Sequence, residues 1–279
     1  MLQKLEKMDR RIIYLVVFLS LAIPLIWPIG LPISVGPETA SLYKFIDSLP
    51  ARTPVVISFD TSPGGYGELS SGAIALLNHL AKKDLRCIGM GFFDTGPSLM
   101  QSALANSLYK GKTYGTDYVN LGYVSGGENA ISAVAKDIIA KFPKDFTGKS
   151  TSGIPVMQGI TTMKDVSLIV TVSSGTPGVA EWIRQVGDPM KVPMATVLVA
   201  VNIPNMTPYL NAKQLYGMIP SMKGAAGYEA LIGMKALGTS GMDAQSISHL
   251  AILFFVILGN VISYASRNKP GSAKGGGRQ

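Results

Sequence analysis

The sequence is poor in the residues that most often build disulfides and metal sites. It contains one cysteine, Cys87, and two histidines, His79 and His249, among 279 residues. A single cysteine excludes an intrachain disulfide, and so few nitrogen and sulfur ligands argue against a zinc site. We therefore expect no metal and no cofactor. His79 lies in the apolar helical pattern LLNHLAKK, which favours a packing or surface role over that of a catalytic base.

Acidic residues are also fewer than basic ones, with 17 Asp and Glu against 25 Lys and Arg and a formal net charge of +8. A basic excess spread over a domain would suggest nucleic acid as a partner. Here the excess lies beside two apolar runs near the chain ends, at Lys4, Lys7, Arg10, Arg11, Arg267, Lys269, Lys274 and Arg278. We therefore predict a lipid bilayer, and no nucleic acid, as a partner.

The two apolar runs are almost free of charge. Residues 12–30 (IIYLVVFLSLAIPLIWPIG) contain no charged residue, and residues 246–265 are nearly as apolar. About 20 such residues in a helix cross a bilayer about 30 Å thick, so we predict two transmembrane helices. A cleaved signal peptide is the alternative for the first run, although no small-x-small cleavage site follows it.

The basic flanks set the predicted topology, because basic segments stay on the cytoplasmic side of a membrane. We expect a protein of the prokaryotic cytoplasmic (inner) membrane with both termini in the cytoplasm. Residues 1–11 would form a basic tail and residues 266–279 a flexible tail. Residues 31–245 would form one extracytoplasmic domain.

The central segment alternates short aliphatic runs with helical patterns. The runs PVVISFD, RCIGMGFF, VSLIVTVSS and MATVLVAV are typical of strands buried on both faces. Patterns such as NAISAVAKDIIAKFP predict amphipathic helices between them. This alternation predicts an α/β fold with a mainly parallel sheet and helices on both faces, flanked by the two transmembrane helices. The segment KGKTYGTDYVNLGYVSGGE is expected to be a long loop.

Two glycine-rich turns, SPGG and GTPG, each follow a strand pattern and precede a helix pattern. Open α/β sheets place ligands at such junctions, and free amides at a helix start suit anions. The candidate ligand or oxyanion residues are Ser62, Gly64, Gly65, Gly175, Thr176 and Gly178. Neither turn is a Walker A or GxGxxG motif. Both can equally be ordinary turns between a strand and a helix.

The SPGG turn resembles the corresponding turn in the ClpP and signal-peptide-peptidase class of serine proteases. Backbone amides of that turn help to form the oxyanion hole. The resemblance covers this turn and the element order only. It implies a nucleophile at the start of the next helix, where Ser98 stands, with Lys110 or Lys112 as its base. The small residues usual around that serine are missing from FFDTGPSLM, and Ser98 also suits the first turn of a helix.

Longer segments carry a second resemblance. GPETASLYKFIDSLP, SFDTSPGGYGEL, YGTDYVNLGYVSGGE, SSGTPGVAEWI and MKGAAGYEALIG lie between the apolar runs. Together they resemble a family of two-pass prokaryotic membrane proteins. The resemblance covers most of the chain and implies the topology and the single extracytoplasmic domain. It transfers no catalytic residue.

Sparse catalytic side chains and two membrane anchors favour a non-enzymatic role. We expect an interaction or scaffold protein that forms a homo-oligomer or a larger complex with other membrane proteins. One alternative is a membrane-anchored serine protease that uses Ser98. Another is an extracytoplasmic sensor of a small ligand or anion that uses the glycine turns.

Overall fold

The structure is a computed structural model that describes residues 9–267. The chain divides into two compact units. One is Pro32–Thr239, and the other contains the residues up to Leu31 and those from Ser240 onward. The two predicted cytoplasmic tails fall almost entirely outside the described residues.

The unit Pro32–Thr239 is built on a six-stranded sheet. Its strands are β1 Pro54–Asp60, β2 Arg86–Gly91, β3 Tyr118–Tyr123, β4 Leu168–Ser173, β5 Met194–Leu198 and β6 Gly217–Pro220. Every neighbouring pair is parallel, and the order across the sheet is β3-β2-β1-β4-β5-β6. The predicted parallel α/β fold is confirmed. This order places the topological switch point between β1 and β4, where open sheets of this kind bind ligands at the carboxyl ends of the strands.

Helices cover both faces of the sheet. In chain order the helices are α1 Arg10–Ile26, α2 Pro37–Asp47, α3 Pro63–Lys82, α4 Gly96–Ala105, α5 Gly127–Lys136, α6 Ile138–Lys141, α7 Val179–Trp182, α8 Asp188–Met190, α9 Ile203–Asn211, α10 Ser221–Leu231 and α11 Leu237–Arg267. Helices α2, α3, α4 and α10 pack on one face, and α5 to α9 pack on the other. A π-helical turn, Ile183–Gly187, joins α7 to α8.

The two faces bury separate hydrophobic layers. In β1, Val55, Ile57 and Phe59 belong to the layer under α3, whereas Val56 belongs to the layer on the other face. This alternation follows from the two-residue period of a strand. A strand buried on both faces must be apolar at successive positions, which explains the continuous aliphatic runs in the sequence.

The β1–α3 unit forms as its sequence predicts. Ser62 caps α3, and its hydroxyl accepts a hydrogen bond from the Gly65 N–H at 3.4 Å. Pro63 occupies the first helical position, where its missing N–H leaves no intrahelical bond unmade. Leu76 and Leu77 are fully buried under the sheet, and burial of each leucine contributes about 1.5–3 kcal/mol.

Two strands differ from the sequence prediction. β3 lies within the segment that was expected to be a loop. The sequence did not indicate this strand, because Asn120 interrupts its apolar pattern. That buried amide is satisfied by donating to the carbonyl oxygen of Pro97 at 2.9 Å. β6 lies in a segment for which no strand was predicted, and it has only four residues. A Cβ on Gly217 would lie 2.4 Å from the carbonyl oxygen of Glu38, so glycine allows α2 to approach β6 closely.

The other unit contains α1 and most of α11. Within the described residues, one helical stretch, Leu237–Tyr264, is long and apolar enough to cross a membrane by length and composition. It starts before the predicted span 246–265. α1 has 17 residues and contains Pro24. The structure does not show the predicted span 12–30 or the two-pass arrangement, and both stay predictions.

Asp243 joins the two chain segments of this unit. Its carboxylate accepts hydrogen bonds from the N–H of Gly30 at 2.7 Å and of Leu31 at 2.9 Å. The side chain is buried. Two backbone donors therefore stabilise a carboxylate that would otherwise be costly to remove from water.

Candidate functional site

The carboxyl ends of β1 and β4 bring the two glycine turns into contact. Thr61 and Ser174 directly follow these strands, and their hydroxyl oxygens lie 2.8 Å apart. Gly65 packs against the same pair. A Cβ at Gly65 would lie 2.4 Å from Ser174 Oγ and 2.6 Å from Thr61 Oγ1. The SPGG and GTPG turns therefore form one junction at the switch point.

The SPGG turn mainly serves the start of α3. Ser62 accepts hydrogen bonds from two backbone groups, with its carbonyl oxygen receiving the Tyr66 N–H at 2.9 Å and its hydroxyl the Gly65 N–H. Gly64 is exposed, and a Cβ there would meet only Ser62 Oγ, at 3.9 Å. In this turn, close packing therefore requires a glycine at Gly65 and does not require one at Gly64.

The GTPG turn is held by internal hydrogen bonds. The hydroxyl of Ser173 donates to the carbonyl oxygen of Gly175 at 2.9 Å, and the N–H of Gly178 donates to Glu181 Oε2 at 2.8 Å. A Cβ on Gly178 would lie 2.5 Å from the Gly175 carbonyl oxygen, so only glycine fits there. The expectation of an anion on this amide is not supported, because the carboxylate of Glu181 already occupies it.

A cleft of about 240 Å³ opens beside the GTPG turn, at the carboxyl ends of β4 and β5. Its lining combines hydrogen-bonding side chains with apolar residues and glycines: Ser173, Thr176, Glu181, Thr196, Asn202 and Asn205, with Gly175, Gly178, Val179, Ala180, Leu198 and Met206. The predicted site residues of the GTPG turn therefore line the cleft. Those of the SPGG turn do not.

The segment after β5 supplies lining residues that the sequence analysis missed. Asn202 ends the 3₁₀ turn Ala200–Asn202, and its side-chain amide donates to the carbonyl oxygen of Ser174 at 3.3 Å. Asn205 follows in the first turn of α9 and is exposed. Their signal in the sequence is two asparagines directly after the carboxyl end of a predicted parallel strand, where ligands are usually held.

Glu68 holds this segment against the first strand–helix unit. Its Oε1 accepts the N–H of Ala200 at 2.7 Å. Glu68 lies in α3, so the hydrogen bond ties the connection between β5 and α9 to the helix that follows β1. The carboxylate of Glu68 therefore contacts a turn that is distant in the sequence.

Asp60, the last residue of β1, is a buried carboxyl near the junction. Its Oδ2 accepts from the Ser58 hydroxyl at 2.5 Å and its Oδ1 from the Phe92 N–H at 2.7 Å. Burial raises the pKa of Asp60 to about 6, although both hydrogen bonds favour the charged form. Asp60 does not line the cleft, and we assign it no contact with a ligand.

The structure does not bring the proposed protease residues together. Ser98 lies in the first turn of α4, after the carboxyl end of β2. Lys112 Nζ donates to Asp84 Oδ1 at 2.8 Å, and Asp84 precedes the amino end of β2. Lys110 shares a 3₁₀ turn with Tyr109, whose hydroxyl donates to the carbonyl oxygen just before β2. Because β2 has six residues and a strand rises about 3.3 Å per residue, its two ends lie about 17 Å apart. Neither Lys110 nor Lys112 is therefore placed to act as the base for Ser98, as the protease alternative requires.

His79 and Cys87 are both packed in the core. His79 Nδ1 lies 2.8 Å from the Tyr228 hydroxyl, and the imidazole stacks on Tyr43 with a centroid distance of 4.8 Å. Burial lowers the pKa of His79 to about 4 and raises the pKa of the Cys87 thiol. Neither residue lines the cleft. Over residues 9–267, no group of three His, Cys, Asp or Glu side chains is placed to hold a metal ion.

Comparisons with known proteins give a weak structural likeness only. No family model matches the sequence, and no curated protein gives a significant match. Among solved structures, AibC is similar with 11% identity, a TM-score of 0.31 and coverage of 80% of this chain and 54% of that chain. The trehalose-6-phosphate synthase OtsA is similar with 11% identity, a TM-score of 0.31 and coverage of 85% of this chain and 49% of that chain. A structure titled as trehalose-6-phosphate from E. coli, bound with UDP-2-fluoro glucose, gives 11% identity, a TM-score of 0.32 and coverage of 84% and 49%.

The chain thus spans about half the length of the solved structures it matches. Likeness at these TM-scores transfers no reaction, substrate or residue to this chain. The sequence-based hypothesis of a non-enzymatic scaffold is corrected at this point, because it gave no account of the cleft with polar side chains at the carboxyl edge of the sheet. We do not retain it.

Proposed function

We propose that the unit Pro32–Thr239 binds a small molecule in the cleft beside the GTPG turn. The observation that supports this most directly is a cleft with convergent polar side chains at the carboxyl ends of β4 and β5. The carboxyl edge of the sheet is where this strand order predicts a ligand, and the cleft lies one strand along from the switch point between β1 and β4.

Internal hydrogen bonds keep the cleft formed without a ligand. Ser173 fixes the GTPG turn through Gly175, Glu181 fixes its end through Gly178, and Glu68 holds the segment after β5. A pre-formed site loses less conformational entropy when its ligand binds. Pre-formed concave sites with a few placed polar groups are typical of small-molecule binding.

A thermal-shift screen of the full chain in lipid nanodiscs tests this proposal. The compounds are a panel of nucleosides, amino acids, organic acids, monosaccharides and polyols. We expect at least one class to raise Tm, and the variant Asn205→Trp to abolish the shift by filling the cleft. Asn211→Trp is the matched control, because Asn211 is an exposed residue of α9 that does not line the cleft.

Two results would overturn small-molecule binding at this site. One is the absence of any shift from the whole panel. The other is a set of shifts that Asn205→Trp leaves intact, because binding would then occur elsewhere on the chain.

We further propose that the chain is a two-pass protein of a prokaryotic inner membrane, with both termini in the cytoplasm. The apolar stretch Leu237–Tyr264 supports a span at α11. In the N-terminal segment, Phe18 is 65% and Trp27 68% exposed, as residues facing lipid would be. The basic flanks of both segments supply the expected cytoplasmic bias.

Cysteine labelling in intact cells tests this topology. In a Cys87→Ser background, a membrane-impermeant maleimide is expected to label Thr147→Cys, which is exposed in the α/β unit. It is expected to leave Ser272→Cys unlabelled until the membrane is permeabilised. Labelling of Ser272→Cys in intact cells would contradict the proposed orientation.

A further inference from the structure

The lining of the cleft is polar but carries almost no charge. Its polar side chains are mainly hydroxyls and amides, from Ser173, Thr176, Thr196, Asn202 and Asn205. Glu181 is its one ionisable group, and no Lys, Arg or His is among the lining residues of this cleft. Sites that hold phosphates or carboxylates supply cations or free backbone amides. This lining offers no cation.

The carboxylate of Glu181 is already committed within the protein. Its Oε2 accepts the Gly178 N–H at 2.8 Å, and its Oε1 accepts from Arg184 Nη2 at 2.8 Å. Arg184 in turn forms two hydrogen bonds with Glu128, at 2.9 and 3.0 Å. An anionic ligand would therefore meet a carboxylate and an occupied amide. A cationic ligand would have to compete with the guanidinium.

Two polar side chains remain available at the cleft. In the described chain, neither the Thr176 hydroxyl nor the Asn205 amide forms a hydrogen bond, and both residues are exposed. An amide both donates and accepts, as does a hydroxyl. Together they match a ligand whose own groups both donate and accept, which is the property of hydroxyls.

The volume of the cleft and its apolar side restrict the class of ligand further. At about 240 Å³ the cleft is smaller than the roughly 300–1,000 Å³ of pockets for drug-sized ligands. Val179, Leu198 and Met206 give it an apolar side. A ring with hydroxyls at its edge and C–H groups on its faces fits both parts of the lining.

We propose that the cleft binds an uncharged, hydroxyl-rich molecule about the size of one sugar ring. This inference rests on the proposed function and names its ligand class. The lining residues of the cleft alone indicate this class of ligand. The exposed pair Thr176 and Asn205 would contact the ligand hydroxyls, and the apolar side would contact the ring.

Saturation-transfer NMR with the full chain in nanodiscs tests this class, because glycoside detergents would themselves compete. The probes are neutral monosaccharides and cyclic polyols, each paired with a charged counterpart such as the sugar phosphate or uronate. We expect neutral probes to bind at least about 10-fold more tightly than their charged counterparts. Asn205→Ala should weaken the best neutral probe by about 2–10-fold through one lost hydrogen bond, and Asn211→Ala should not.

The outcomes separate this inference from the proposed function. Binding of a charged probe that equals or exceeds its neutral counterpart, and that depends on Asn205, overturns the ligand class while small-molecule binding stands. Failure of every neutral probe, with another compound class binding in an Asn205-dependent way, has the same meaning. Absence of any Asn205-dependent binding overturns both.

Discussion

The hydroxyl oxygens of Thr61 and Ser174 lie 2.8 Å apart and join the strand–helix turns that follow β1 and β4. These two residues are far apart in sequence, and each directly follows a central strand. The contact therefore closes the sheet edge at its switch point. It also leaves no room for a side chain at Gly65, since a Cβ there would lie 2.4 Å from Ser174 Oγ.

Substitution of the two glycines of the SPGG turn should separate packing from helix propensity. Gly65→Ala is expected to destabilise the protein by about 1–3 kcal/mol, because the new methyl group overpacks the junction. Gly64→Ala should be neutral or stabilise by up to about 1 kcal/mol, because it lies in the first turn of α3 with open space around it. Denaturant unfolding of both variants measures this. Equal effects at the two positions would contradict the close packing.

Protonation of His79 should destabilise the fold. Burial lowers its folded pKa to about 4 from an unfolded value of about 6.5, and Asp47, 3.7 Å from Nε2, only partly offsets this. Because the pKa of this base is lowered on folding, the contribution of His79 to the free energy of unfolding is fully present above pH 6.5. It is lost as the pH falls towards 4. The loss should approach about 3 kcal/mol.

Unfolding of the wild type and of His79→Gln at pH 7, 5.5 and 4 isolates this contribution. Glutamine is polar and does not titrate in this range, so the variant should lose less stability on acidification. A pH dependence identical in both proteins would mean that His79 does not carry the effect.

Asp60 should have the opposite pH dependence, because its ionisation destabilises the fold as the pH rises. Its folded pKa of about 6 lies above the unfolded value of about 3.9. A raised pKa for an acid means that its contribution is full below pH 3.9 and is lost as the pH rises through 6. At pH 7 the charged form costs up to about 3 kcal/mol.

Asp60→Asn should therefore stabilise the protein by about 1–3 kcal/mol at pH 7 and have little effect at pH 4. The amide oxygen can still accept the Phe92 N–H, and its NH₂ can donate to the Ser58 hydroxyl. Chemical denaturation at both pH values measures the difference. Destabilisation at pH 7 would show that the carboxylate is needed in its charged form.

Ser98 should not react as an activated nucleophile. Lys112 pairs with Asp84 at 2.8 Å, and Lys110 lies in the neighbouring 3₁₀ turn, so both candidate bases lie at the end of β2 opposite Ser98. A fluorophosphonate probe is expected to give no labelling that Ser98→Ala removes. Lys112→Ala should cost at most about 1 kcal/mol, as is usual for a partly exposed ion pair.

Loss of the Glu68 carboxylate should loosen the segment after β5. In Glu68→Ala the Ala200 N–H loses the acceptor that lies at 2.7 Å, and hydrogen exchange over residues 199–206 is expected to become faster. Glu68→Gln keeps an acceptor oxygen and should preserve most of the protection. Unchanged exchange in Glu68→Ala would show that α9 alone holds the segment.

The sequence patterns predicted the central elements well and the peripheral ones poorly. β1 and α3 were recognisable because a continuous aliphatic run meets a serine cap and a proline in the first helical turn. β3 and β6 were not, since the first contains Asn120 and Gly122 and the second has only four residues. In both strands, tertiary contacts replace the missing local pattern. One example is the bond from Asn120 to Pro97.

The candidate site was predicted only in part. The glycines correctly indicated both turns between a strand and a helix, but their role is packing and not ligand binding. Gly65 is required for packing against Thr61 and Ser174, and Gly178 for a close approach to Gly175. Glu181 caps the start of α7, and its carboxylate thereby occupies the Gly178 amide that an anion would need. Asn202 and Asn205 carry no motif, because a short 3₁₀ turn positions them only after β5 has joined the sheet.

The two hydrogen bonds at Asp243 have a consequence for modularity. They hold Gly30 and Leu31 beside a residue more than 200 positions later in the chain, so the α/β unit is an insertion whose point of entry and point of exit almost coincide. Domains inserted at adjacent anchor points can be exchanged without a new linker geometry. The terminal segments therefore form a host into which other domains of similar end spacing could be grafted.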